Sequence, residues 1–150
     1  MTKKSRNLAV LDTNVIFSGL TREHGTTFEI LEKGRAGAFE MVISGAVVSE
    51  YRSVLSRPSF ISRYDAAIDA KNAFLSGLLE NAFVSTPPME SPVVCRDPKD
   101  TKFLLAALGA LNSFLVTGDD DLLSLAGDPR LGNLRIVRPR AFLDLLISDD

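Results

Sequence analysis

Three short, wholly apolar runs, Leu8–Leu11, Met41–Ile43 and Phe114–Val116, each stop abruptly at a polar residue. Runs this short do not make an amphipathic helix, and they are too continuous for a strand with one wet face. They suit strands buried on both faces, as in parallel sheets. Weaker segments at Ala82–Ser85 and Leu134–Val137 complete a set of five strands. Helical patterns fill the intervals. They cover Thr26–Arg35, Ser44–Ser56, about 65–81, Asp100 or Thr101 to about Leu111, Asp119–Ala126, and a last helix opened by Pro139. The second of these carries Val47, Val48, Tyr51, Val54 and Leu55 on one apolar face and breaks at Arg57-Pro58. Strands alternating with helices predict an α/β fold around a parallel sheet. With no linker or repeat, the expectation is one domain over residues 1–150, with a core from about 8 to 146.

Composition narrows the chemistry by exclusion. The single cysteine, Cys95, rules out an internal disulfide framework, and with the single histidine, His24, it cannot assemble a Cys/His zinc site. A Cys/His nucleophilic dyad would need two residues far apart in sequence. The longest apolar run, Phe103–Leu111, is about half the length of a membrane span. Lys3, Lys4 and Arg6 precede an apolar stretch too short for a signal peptide, so the expected location is the cytoplasm, without membrane attachment. A net charge of −2 does not advertise a nucleic-acid ligand, although bound cations reverse the field of an acidic site.

Acids at strand ends carry the positive argument. Ligands of open α/β sheets bind outside the carboxyl ends of the strands. Asp12 follows the first strand there, and Asp119 follows the fourth after Thr117-Gly118. Either one alone reads equally as a helix cap or an Asx turn. Glu50 lies on the helix leaving the second strand, about 100° from the centre of its apolar face. Asp97 and Asp100 precede the Phe103 helix, where Asp100 also reads as a plain N-cap. Carboxylates gathered at one edge repel unless a cation neutralises them, and hard oxygen ligands suit Mg²⁺ or Mn²⁺. Such an ion serves phosphodiester hydrolysis without a histidine or cysteine nucleophile.

In order and spacing, Leu11-Asp12-Thr13-Asn14-Val15, Ser49-Glu50-Tyr51, Arg96-Asp97-Pro98-Lys99-Asp100 with Lys102-Phe103-Leu104, and Val116-Thr117-Gly118-Asp119-Asp120-Asp121-Leu122-Leu123 resemble the PIN domain family. The nearest branch is that of bacterial toxins of toxin–antitoxin systems. The resemblance implies a three-layer α/β/α sandwich on a five-stranded parallel sheet and a Mg²⁺- or Mn²⁺-dependent ribonuclease. It implies that Asp12, Glu50, Asp100 and Asp119 form the acidic quartet, with Asp12 and Asp119 the most direct metal ligands. Glu50 and Asp100 would bind metal directly or through water and help activate the attacking water. Asn14 and Thr117 would hold the carboxylates by hydrogen bonds, Asp121 would approach a second ion, and Asp97 would support the site. In many members the third acid begins the helix, a place that Thr101 would occupy here. If Thr101 is the aligned residue, the chain reads instead as a weak or inactive RNA- or protein-binding module.

The resemblance also implies RNA as substrate, an antitoxin protein as partner, and a homodimer or higher oligomer. Arg130, Arg135, Arg138 and Arg140, with Arg22 and His24 in the segment after Asp12, are candidates for phosphate-backbone contacts or plain solvated charge. Phe60, Ile61 and Tyr64 form either an exposed partner patch or part of the core. A phosphatase using Asp12 as nucleophile is a further reading, weakened because Asn14 stands where a second aspartate is needed.

Overall fold

A computed structural model of the chain describes residues 6–148. Five strands, β1 (Asn7–Leu11), β2 (Phe39–Ile43), β3 (Phe83–Val84), β4 (Phe114–Val116) and β5 (Arg135–Val137), form one all-parallel sheet in the order β3-β2-β1-β4-β5. The chain moves from β1 outward through β2 to β3, then returns to place β4 on the other side of β1. Strand order therefore reverses between β1 and β4, and the loops leaving these two strands part to leave a crevice. Registers of Leu11 with Val116 and of Val116 with Val137 bring the three central strands to a common carboxyl edge. The ladder runs one residue further, through Asp12 N–H to the Val116 carbonyl and Thr117 N–H to the Val137 carbonyl, each 3.0 Å.

Helices complete a three-layer α/β/α sandwich. They are α1 (Thr13–Thr21), α2 (Thr26–Arg35), α3 (Gly45–Leu55), α4 (Pro58–Tyr64), α5 (Ile68–Leu79), α6 (Thr101–Leu108), α7 (Asp120–Leu123) and α8 (Pro139–Ser148). α2 packs on α1, α5 and α8, whereas α6 lies against β1, β2 and β4. Ala9, Val10, Leu115 and Val116 are inaccessible to solvent, as expected of strands covered on both faces. Phe142 of α8 meets Phe39 and Phe114 at ring separations of 5.1 and 5.4 Å, which ties the last helix to β2 and β4. Each such large apolar side chain contributes about 1.5–3 kcal/mol by leaving water.

Two helices depart from the sequence reading. Thr13–Thr21 is helical, although β-branched residues and Gly19 make it a poor helix former; burial of Val15, Ile16 and Leu20 overrides that propensity. Gly19 is the point of closest approach to α2: a β-carbon there would stand 2.9 Å from the Thr27 carbonyl oxygen and clash with Leu31. Pro58, expected to end a helix, also begins the next one at its first position, where a missing N–H costs nothing. Within that helix Phe60 is buried, stacked near Phe17 and Tyr64, and Ile61 is the exposed member. The three residues are therefore mostly core, not an exposed apolar patch. Other bounds shift slightly: a 3₁₀ turn at Asp65–Ala67 precedes α5, α6 ends at Leu108, and α7 is only one turn long.

Candidate active site

The crevice at the carboxyl ends of β1 and β4 is a cleft of about 310 Å³. Asp12, Glu50, Asp97, Asp100 and Asp119 all line it, together with Asn14 and Phe103. Three cations, Arg57, Lys99 and Lys102, stand at or beside these acids.

Asp12 is only 5% exposed. The fully buried Thr117 hydroxyl donates to its Oδ2 at 2.7 Å and accepts the Asp119 N–H at 3.0 Å. One hydroxyl thus fixes Asp12 and the backbone of Asp119 relative to each other. Burial raises the Asp12 pKa above the usual carboxylate range; the Thr117 bond and the Thr13 and Asn14 backbone N–H groups oppose the rise, and the Asp119 charge adds to it. Asn14 acts on Asp12 through its backbone N–H, while its side chain is exposed at the cleft.

Asp119 caps α7, its Oδ1 accepting the Asp121 N–H at 2.8 Å. Capping and cleft lining coexist here, because the cap engages a single oxygen. Asp97 likewise caps the Pro98–Asp100 turn through the Lys99 N–H at 3.0 Å while facing the cleft. Asp121 is not among the cleft-lining residues and pairs at 3.5 Å with the exposed Arg96.

Asp100 is no helix cap. It immediately precedes α6, yet its side chain makes no capping bond. It is 9% exposed, and its Oδ2 has no hydrogen-bond partner among the described residues. Burial pushes its pKa up to about 7, followed by the charge of Asp119, a hydrogen bond with Asp119, and the charges of Asp12 and Asp97. Thr101 is not among the cleft-lining residues and hydrogen-bonds the buried Cys95. Burial raises the Cys95 thiol; Thr101 opposes the rise, and Asp100 and Asp97 add to it, so this cysteine is a poor thiolate nucleophile.

Two contacts were invisible to pattern reading. Lys102 Nζ donates to Glu50 Oε1 at 2.8 Å in a half-buried pair that holds the glutamate at the cleft. The residues are 52 apart in sequence, so no local spacing announces them. Tyr51 reads as one more apolar residue of α3, but its hydroxyl donates to the Leu11 carbonyl, fastening α3 to the strand end that carries Asp12. The available signal was general: a buried tyrosine hydroxyl needs a partner.

Hard carboxylate oxygens, an orphaned Asp100 Oδ2 and the upward pKa shifts of Asp12 and Asp100 are the donor chemistry of a divalent cation site. Among the described residues, however, no three such side chains form a ready-made metal cage. Glu50 is engaged by Lys102, and one oxygen each of Asp12 and Asp119 is engaged by Thr117 and by a cap. Among the described residues, no helix is long and apolar enough to cross a membrane.

Residues 8–121, well over half of the chain, match the profile of a family described as PIN domain. Comparison with curated proteins finds no match.

Proposed function

The chain belongs to the PIN domain family, and on that premise we propose that it is a divalent-metal-dependent ribonuclease. PIN domains are generally nucleases, and the proposal makes this one specific for phosphodiester bonds of RNA. The observation that carries it is the meeting of Asp12, Glu50, Asp100 and Asp119 in one cleft at the strand-order reversal. Asp12, Asp100 and Asp119 would hold Mg²⁺ or Mn²⁺, which supplies Lewis acidity toward a phosphoryl oxygen and toward water.

The protein's own groups do the rest. Thr117 holds Asp12 in place, and Lys102 holds Glu50. Asp100, whose Oδ2 has no hydrogen-bond partner among the described residues, would help orient the attacking water. The water's oxygen bonds to phosphorus, the bond to the leaving sugar oxygen breaks, and the water's proton passes to that leaving oxygen through solvent. Glu50 supports water activation. Arg57 and Lys99 offer positive charge to the phosphate at the cleft rim. Asn14 and Asp97 support the site, and Asp121 serves a second ion only if it leaves Arg96.

The test is cleavage of single-stranded RNA with Mn²⁺ or Mg²⁺. Asp12→Asn and Asp119→Asn should each lower kcat by about 100-fold or more. Unchanged cleavage by both variants would trace the activity to a contaminant and sink the assignment. The finer role, toxin of a toxin–antitoxin pair with an antitoxin and a second copy of the chain as partners, is supported by the motif resemblance. Induced expression in a bacterial host should arrest growth, and Asp12→Asn should not.

That no three such side chains among the described residues form a ready-made cage favours a second reading, a catalytically weak or inactive module that binds RNA or protein. Calorimetry that finds no Mn²⁺ binding, from a protein that still binds RNA, would select it.

A further inference from the structure

Of the arginines that the sequence offers as backbone contacts, two are engaged elsewhere. Arg130 forms a two-pronged pair with Asp128 at 2.7 and 3.0 Å. Arg135 begins β5, at the end of the strand away from the cleft, and stacks on Phe114 at 4.1 Å. The other three converge. Arg22, just past α1, and Arg138 and Arg140, on either side of Pro139, line a cavity of about 360 Å³ with Ser18, Thr26 and Thr27.

Four features of this cavity favour a phosphate. Two ten-residue helices, α2 and α8, begin at it, which adds two positive helix termini to three guanidinium groups. The N-terminus of α2 follows Gly25 and has no side-chain cap, so its first N–H groups are open to an anion. Ser18 and Thr27 hydroxyls, joined at 2.9 Å, fix the neighbouring ends of α1 and α2 against each other. Finally, the arginines are weakly committed: Arg138 pairs with Asp120 and Arg140 with Asp144, both pairs exposed, and Arg22 forms no ion pair among the described residues. Exposed pairs are worth little and exchange readily for a bidentate phosphate contact.

The cavity also lies beside the cleft. Arg138 follows β5 at the same carboxyl edge, and its partner Asp120 adjoins Asp119. We propose that Arg22, Arg138 and Arg140 form a phosphate-binding subsite for the RNA strand whose scissile bond lies at Asp12 and Asp119. The subsite rests on the nuclease reading, and it divides labour along the edge: the acidic cleft takes the reacting phosphate, and the arginines take a phosphate further along the strand.

The experiment measures anisotropy of a short labelled single-stranded RNA in EDTA, so that nothing is cut, at about 50 and about 200 mM KCl. Arg22→Ala/Arg140→Ala should bind about tenfold more weakly at the lower salt, and the slope of log Kd against log salt should become shallower by about 0.7, the value of one single-strand phosphate contact. Arg22→Gln alone should shift both quantities in the same direction, and Arg130→Ala should leave both unchanged. A double variant with the wild-type melting temperature, Kd and slope overturns the subsite, even if the wild type cuts RNA. Weakened RNA binding by the variants of a protein that cuts nothing upholds the subsite and overturns the nuclease. A wild type that binds no RNA in EDTA overturns the subsite, and the nuclease is then judged by the Mn²⁺ cleavage assay alone.

Discussion

Asp100 concentrates the conflict of this cleft in one side chain. Its carboxyl is nearly buried beside three other acids, Asp119, Asp12 and Asp97, and one of its oxygens has no hydrogen-bond partner among the described residues. The folded protein holds its proton up to about pH 7, whereas an ordinary aspartate releases it near 3.8. Between those values the folded state binds the extra proton, so stability must fall as pH rises. Asp12 is shifted in the same direction and adds to the trend. The metal-free protein should therefore melt several degrees higher near about pH 5 than near about pH 8. Asp100→Asn should raise the melting temperature at the higher pH and flatten the profile, as should Mn²⁺. A melting temperature that rises with pH over this window would refute the account. At this scale the sequence was half legible. Asp12 stands directly after an apolar run and Asp119 follows another after Thr117-Gly118, so both could be placed from the pattern alone. Asp100 looked like a cap because caps and ligands use the same residue at the same place, and only the missing capping bond separates them.

Among the elements, α1 depends most on its neighbours. Nothing in Thr13–Thr21 favours a helix except the apolar face that α2 covers, and at Gly19 that cover comes down to backbone contact. Periodicity could not find α1, because its sequence is rich in β-branched residues and its stability lies in packing against α2 rather than in its own propensity. Gly19→Ala should cost about 1–3 kcal/mol despite the better helix propensity of alanine, since the added methyl group meets Leu31 and the Thr27 carbonyl. Gly77→Ala in α5, where nothing lies within 4 Å of the new carbon, should instead stabilise by about 0.5–1 kcal/mol. Denaturant titrations of the two variants should move in opposite directions; a stabilised Gly19→Ala would show that propensity, not packing, governs α1. The strands were far more legible, since a strand buried on both faces must be apolar at every position.

For the whole molecule, the decisive fact is the position of β1 at the middle of the sheet with β4 beside it. The alternation of strands and helices announced a parallel sheet, but strand order is a property of crossovers that no local pattern encodes. A chain cut after Ala110 keeps β1, β2 and β3 but leaves β1 as an open, apolar edge. Such a fragment should show no cooperative thermal transition by circular dichroism; a sharp one would mean that β4 is dispensable to the core.

The Thr117–Asp12 bond joins residues 105 positions apart. A ribosome making this chain releases Asp12 and Glu50 long before it reaches Thr117 and Asp119, so the growing polypeptide carries half of the cleft with nothing to complete it. Whatever chemistry the cleft performs therefore waits until β4 has left the ribosome and docked beside β1.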